Sequence, residues 1–206
     1  MNKIITTTLL SLAITGASFA SPITFAFKDP KGGNAIQFHL DSLLEPIAGS
    51  ADGITGTVTF DPAAPSATSG SIVVAAPSLT VSNSTMRDHL LSAGWIDAAG
   101  HPEITFTISS LSAVQTEGNT TKAMASGNFT LKGTTQEIEI PVQINYLPGA
   151  FGKRINKPEL GRDLLVVLGK FSINRSDFGI RPGQNEDKVA ETIEFSIAVV
   201  GGAPNA

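Results

Sequence analysis

The side chains able to do chemistry concentrate in one stretch, Ser78 to Thr107. Arg87, Asp88 and His89 stand there in a row, followed by Trp95 and by His101 directly before Pro102. The stretch thus holds two of the chain's three histidines and its sole tryptophan. Metal ligation is the first chemistry to weigh, with His39, His89 and His101 as imidazole donors and Asp88 as a carboxylate. No pair among them has the helical i, i+4 or His-Glu-x-x-His spacing from which a zinc site is built, so capping, hydrogen bonding and surface positions account better for all three. A serine hydrolase would carry its nucleophile on a Gly-x-Ser-x-Gly elbow, and none occurs. Glu137 and Glu139 alternate with Ile138 and Ile140, which puts both carboxylates on the solvated face of a strand. Solubility and edge protection explain them better than a glycosidase pair does.

Two roles remain for Arg87-Asp88-His89. In the structural one, Arg87 and Asp88 form an ion-paired latch between a short helix and a sheet. In the functional one, Arg87 or His89 sits at the mouth of a cavity and hydrogen-bonds a ligand head group. Arg175 and Asp177 read the same way, as an ion pair that fixes a turn.

The elements that must position these residues are strands. From Pro22 onward, short period-two runs alternate with turn signals, as in an antiparallel β protein. Ile36, Phe38 and Leu40 share one face, as do Ile54, Val58 and Phe60, with threonines Thr55, Thr57 and Thr59 on the other side. Ile104, Phe106 and Ile108 form another apolar face. Ala125, Gly127, Phe129 and Leu131 follow after a polar turn at Gln115–Thr121, and then come Ile138, Ile140, Val142 and Ile144. Val189, Ile193, Phe195, Ile197 and Val199 make the last strand. The single helix is expected at about Ser84 to Gly94, with Met86, Leu90 and Ala93 on its apolar side. Thr85 and Asp88 have capping-box spacing, and Gly94 supplies the stop. Pro148 to Arg162 is Gly- and Pro-rich and reads as a mobile loop at one end of the sheet. About eight to ten one-faced strands and one helix imply a sandwich or a closed barrel, and periodicity alone does not choose between them.

Residues 1–20 have the layout of a secretory signal: Lys3, the apolar run Ile4 to Ile14, and small residues ending at Ala20. Residues 21–200 then form one domain and 201–206 a loose tail. The exported chain contains no cysteine, so its stability rests on a hydrophobic core, and thiolate metal sites and cysteine nucleophiles are excluded. A formal charge of −4 without basic clusters argues against nucleic acid as a partner.

Five segments in order resemble the YceI-like family of periplasmic polyisoprenoid-binding, lipocalin-like proteins. They are Phe38-His39 followed by Gly56-Thr57-Val58-Thr59-Phe60-Asp61; Met86-Arg87-Asp88-His89-Leu90; His101-Pro102-Glu103-Ile104-Thr105-Phe106; Gly127 to Thr135; and Asn174-Arg175-Ser176-Asp177-Phe178-Gly179-Ile180. The resemblance implies an all-β fold, an extended antiparallel lipocalin-like β-barrel of about eight strands with one short helix. It also implies a periplasmic, non-catalytic carrier that holds a polyprenol or isoprenoid quinone in an apolar channel, without cofactor or metal. Strand parity then assigns Phe38, Val58, Phe60, Phe106, Phe129, Ile140 and Phe195 to the lining, with His89 and Trp95 as further ligand contacts. Transient contact with a membrane or a membrane redox protein fits such a carrier, as monomer or homodimer. The alternative is a solid-cored interaction module serving a membrane redox or stress-response partner.

Overall fold

The computed structural model describes residues 21–204; the expected signal segment at 1–20 lies outside them. In chain order the strands are β1 (Ile23–Ala26), β2 (Ala35–Leu40), β3 (Ile47–Ala51), β4 (Ile54–Phe60), β5 (Ser69–Ala75) and β6 (Leu79–Val81). Helix α1 (Ser84–Leu91) comes next, then β7 (Glu103–Glu117), β8 (Thr120–Leu131) and β9 (Thr134–Leu147). Helix α2 (Ala150–Arg154), β10 (Leu164–Asn174) and β11 (Thr192–Gly202) complete the chain.

All strand pairs are antiparallel, and the order β1-β4-β5-β7-β8-β9-β10-β11 returns to β1 through Ala26 opposite Gly202. The molecule is therefore a closed barrel of eight strands, which removes the sheet edges that would otherwise seek partners. The remaining three strands hang from β11 as a flap: β2 pairs with β11, β3 with β2, and β6 with β3. Strand β7 stays in step with β8 only by two register shifts, after Ile108 and after Ser112, and bulges of this kind let a long strand coil around a barrel.

β1 and β2 run along the same side of β11 but are separated by residues 27–34, which could have left a hole in the wall. The buried amide of Asn34 fills it. Its Nδ2 donates to the carbonyls of Phe27 (2.8 Å) and Val200 (3.1 Å), and its Oδ1 accepts from the Val200 N–H (2.7 Å), so a side chain stands in for a missing peptide. Phe27 lies flat on Gly201, where a Cβ would sit 2.8 Å from the ring. Only glycine leaves room for it.

One end of the barrel is solid. Phe25, Phe27, Phe60 and Leu165 are all at most 1% exposed there, and Phe151 packs against Gly202 from below. The segment 148–162, expected as a mobile loop, instead contains α2 and a 3-10 turn at Pro158–Leu160. Its Phe151 and Gly152 are buried, and Arg154 clamps it with a bidentate pair to Asp29 (2.5 and 2.6 Å). Burial raises the Asp29 pKa, but the Arg154 pair and the N–H groups of Lys31 and Gly33 outweigh it and hold the carboxyl below its ordinary value. The loose tail expected from residue 201 is also corrected: β11 runs through Gly202, and Ala203 is buried with its N–H on the Asp163 carbonyl. The polar turn expected at Gln115–Thr121 shrinks to Gly118-Asn119, because β7 and β8 extend to meet at Glu117 and Thr120.

Candidate ligand-binding site

The opposite end of the barrel is hollow. Its wall there is the flap β2-β3-β6 on one side and β7, β8 and β11 on the other, with α1 laid across the top. The helix begins where Asn83 caps it, the Asn83 Oδ1 accepting from the Met86 N–H at 3.1 Å, and it ends at Ser92. The expected capping pair of Thr85 and Asp88 is therefore not used; the cap lies two residues earlier, and the helix stops before Gly94. Met86 and Leu90 turn inward as their spacing requires, whereas Ala93 is exposed beyond the helix end.

What ties α1 down differs from the expected latch. Arg87 donates to the backbone carbonyls of Leu79 (3.0 Å) and Pro77 (2.8 Å), while Asp88 is exposed and takes no part. A guanidinium fork satisfies two carbonyls at the end of a short edge strand, where no neighbouring strand supplies N–H donors. Arg175 corrects the second expected ion pair in the same direction. It is 1% exposed and donates to the carbonyls of Ala190 (3.3 Å), Ile180 (2.8 Å), Arg181 and Gln184 (2.6 Å), with Glu191 as its carboxylate at 3.7 Å. Asp177 instead lends its carbonyl to Gln136. One buried arginine thus gathers the loop between β10 and β11 and presents Ile180, Arg181, Asn185, Lys188 and Val189 to the barrel's open end.

Between these parts lies a cavity of about 580 Å³. Apolar walls come from Phe38 and Leu40 of β2, Ile47 of β3, Leu79 and Val81 of β6, Ile104 of β7, Leu131 of β8, and Ile193 and Phe195 of β11. Met86, Leu90, Trp95 and Ile96 form the roof. Polar groups are fewer: Glu45, His89, Ser92, Arg175, Arg181, Asn185 and Lys188. The Arg181 guanidinium stacks over the Trp95 ring at 4.8 Å and donates to the Gly94 carbonyl, which fixes the indole against the opening. Phe195 lies parallel to Phe171 at 4.7 Å, and both meet Phe129 edge-on, with Phe178 behind it at 5.5 Å. This aromatic group floors the cavity and separates it from the solid end.

Of the nine residues expected to contact a ligand, Phe38, Phe195, His89 and Trp95 border this cavity. Phe129 stands one layer below, in its floor. Val58 and Phe60 are buried in the solid half, where Phe60 meets Tyr146 at 6.2 Å, and Phe106 lies over Gly127. Ile140 is buried beside Gly169. All five point inward as parity requires; parity locates the face but not the height along the barrel axis. Ile47, Val81 and Ile104 border the cavity without having been assigned to a ligand, since an aliphatic residue in a strand carries no mark of its height. His39 pairs with Glu194 at 3.3 Å on the outer surface, and His101 lies against Gly133 and 3.9 Å from Asp97, so the three histidines are dispersed.

This geometry, a barrel with one hollow end, can be set beside known proteins. The YceI-like domain profile matches residues 29–201. The chain belongs to the YceI-like family. A UPF0312 protein of Pectobacterium atrosepticum is 30% identical over 142 residues, 66% of this chain and 71% of its own. Among solved structures, Burkholderia cenocepacia BcnA superposes with a TM-score of 0.66 at 21% identity, over 81% of this chain and 95% of that one. A polyisoprenoid binding domain from Saccharophagus degradans, implicated in plant cell wall breakdown, gives 0.65 at 11% identity over 89% and 100%. At such identities the superpositions establish the shared family fold, an eight-strand barrel with few helices, as the five sequence segments had implied.

Proposed function

We propose that this YceI-family chain is a non-catalytic, periplasmic carrier that holds an isoprenoid lipid, a polyprenol or isoprenoid quinone, in the hollow end of its barrel. The observation that carries the reading is the cavity itself. At about 580 Å³ it falls within the roughly 300–1,000 Å³ of pockets that bury a small ligand, and its walls are mostly aliphatic and aromatic. An isoprenoid tail offers branched hydrocarbon and little else, and each Å² it removes from water contributes about 25 cal/mol. The few polar groups are placed to meet a head group rather than the tail. The ligand class in the Saccharophagus degradans domain supports the same assignment. The solid-cored alternative asks for a filled interior, and the filling is confined to one half.

Organic extraction of the purified protein, with mass spectrometry of the extract, is expected to recover a prenyl lipid. Trp95, the sole tryptophan, gives a direct titration, because a short-chain isoprenoid quinone entering the cavity should quench its fluorescence. Ile193→Trp, which fills the space from β11, should abolish uptake while the barrel stays folded. Recovery of no lipid together with no quenching at any quinone concentration would overturn the proposal.

A further inference from the structure

The loop between β2 and β3 carries a feature that the cavity does not use. Leu43 and Leu44 are 84% and 59% exposed, two of only four large hydrophobic residues so displayed among the described residues. Leu160 (40%) and Leu168 (38%) are the others, each isolated. A single exposed leucine needs no explanation, but two adjacent ones on a held loop do. The loop is held just before the pair and at its second member: the buried Ser42 Oγ accepts from the Ala190 N–H (2.8 Å), and the Leu44 N–H donates to the Asp187 carbonyl (2.9 Å). Both leucines are thus kept out of the core by a fixed backbone.

Their place is the cavity's rim. Glu45 and Ile47, one and three residues further on, border the cavity, and so do Asn185 and Lys188, which flank the Asp187 that Leu44 bonds to. Beside these anchors in the chain stand Asp41, Glu186 and Asp187, and the cavity border adds Glu45, Arg181 and Lys188. That balance favours neither an anionic surface nor nucleic acid. What it does favour is a neutral interface that accepts apolar side chains.

We propose that Leu43 and Leu44 form a docking tip that inserts into the interfacial layer of a zwitterionic lipid bilayer and brings the cavity mouth against it. The proposal rests on the carrier reading for its choice of partner, since a lipid that must leave a bilayer is best received at a mouth already dehydrated by contact with it. Two leucines provide reversible docking, because interfacial binding scales with the apolar area inserted, and two side chains insert little. A polar rim keeps the remainder of the barrel outside.

The test is flotation of the purified protein with phosphatidylcholine vesicles, comparing it with the double variant Leu43→Ser/Leu44→Ser and with Leu160→Ser from the opposite end. Residues 1–20 are common to all three proteins, so their contribution cancels. Both leucines are exposed, so the double variant should keep its thermal unfolding midpoint. It should lose at least about tenfold in partition, while Leu160→Ser should not. Adding phosphatidylglycerol should not restore the loss. Quinone uptake is read in parallel from vesicles and from detergent micelles: the double variant should slow the former and leave the latter unchanged. Equal partition of the parent and the double variant overturns the docking tip. So does a parent dimer that the double variant dissociates, which would make the tip a self-association surface. If the leucine-dependent partition is seen but neither protein takes up quinone from either source, the tip stands and the carrier reading fails.

Discussion

Asn34 offers the sharpest test of how the barrel closes. Replacing it with alanine removes three hydrogen bonds at once, to Phe27 O, Val200 O and Val200 N–H, in a place where the next strand pairing is Ala35 opposite Ala198 on one side and Ala26 opposite Gly202 on the other. Each bond contributes about 1 kcal/mol net, and a donor or acceptor left buried without a partner costs about 1–3 kcal/mol. The bonds to Val200 are only part-buried, so water recovers some of that cost, and a loss of about 3 kcal/mol is expected. In a chain of this size that corresponds to a fall in Tm of roughly 6–12 °C. Urea unfolding should show a lower midpoint at unchanged slope, and hydrogen exchange at the Val200 amide should accelerate far more than at β8. Asn34→Asp keeps the acceptor for Val200 N–H but turns both donated bonds into oxygen facing oxygen. It should therefore be at least as damaging at neutral pH and recover as the carboxyl is protonated. A loss below about 0.5 kcal/mol for Asn34→Ala, within the range of ordinary surface substitutions, would refute the bridging role. Unchanged exchange at Val200 would do the same.

Arg175→Lys keeps the charge but cannot reach the four carbonyls that the guanidinium gathers. A loss of about 3–5 kcal/mol is expected by urea unfolding, with the Trp95 emission shifted because its Arg181 neighbour is no longer held in place. Tyr146, the chain's only tyrosine, donates a hydrogen bond from its hydroxyl to the Asp163 carboxylate at 2.7 Å; partial burial first and then Asp163 push its pKa up to about 12. A raised folded-state pKa means that the stabilisation is complete below the unfolded value of about 10 and is lost as pH rises through 12. Spectrophotometric titration of the tyrosinate band should show one midpoint near 12 or at alkaline unfolding, and a midpoint near 10 in the folded protein would contradict the Tyr146–Asp163 hydrogen bond.

The strands and their inward faces were legible because threonine and aliphatic residues alternate with period two, as in Thr55 to Phe60 and Glu137 to Ile144. Barrel closure was not legible from that pattern. It depends on Gly202 meeting Ala26, 176 positions away, and on an amide at Asn34 that looks in sequence like any loop asparagine. For both arginines the structural role holds, Arg87's having stood beside a ligand-binding alternative, but the partners differ from the expected carboxylates. Charge complementarity points to the nearest carboxylate, Asp88 or Asp177, whereas the fold had backbone carbonyls at strand ends and in a loop that needed donors more. Short helices hide in Gly- and Pro-rich stretches for a related reason. α2 is stabilised by Arg154 on Asp29 and by Phe151 on Gly202, contacts with residues far from it in the chain. The candidate lining divided between two halves of the barrel because Phe60 and Phe195 are equivalent by parity and differ only in depth.

That difference in depth makes the molecule a socket and not a conduit. With Phe25, Phe27, Phe60 and Leu165 sealing one end, anything that enters past Trp95 meets a wall at Phe129, Phe171 and Phe195 and does not pass through to the far end. An occupant's apolar end must go in first, and the distance from rim to wall measures how much of it fits. On the carrier reading proposed above, loading and unloading would share that end of the barrel, so the direction of traffic would be decided by whatever surface it faces.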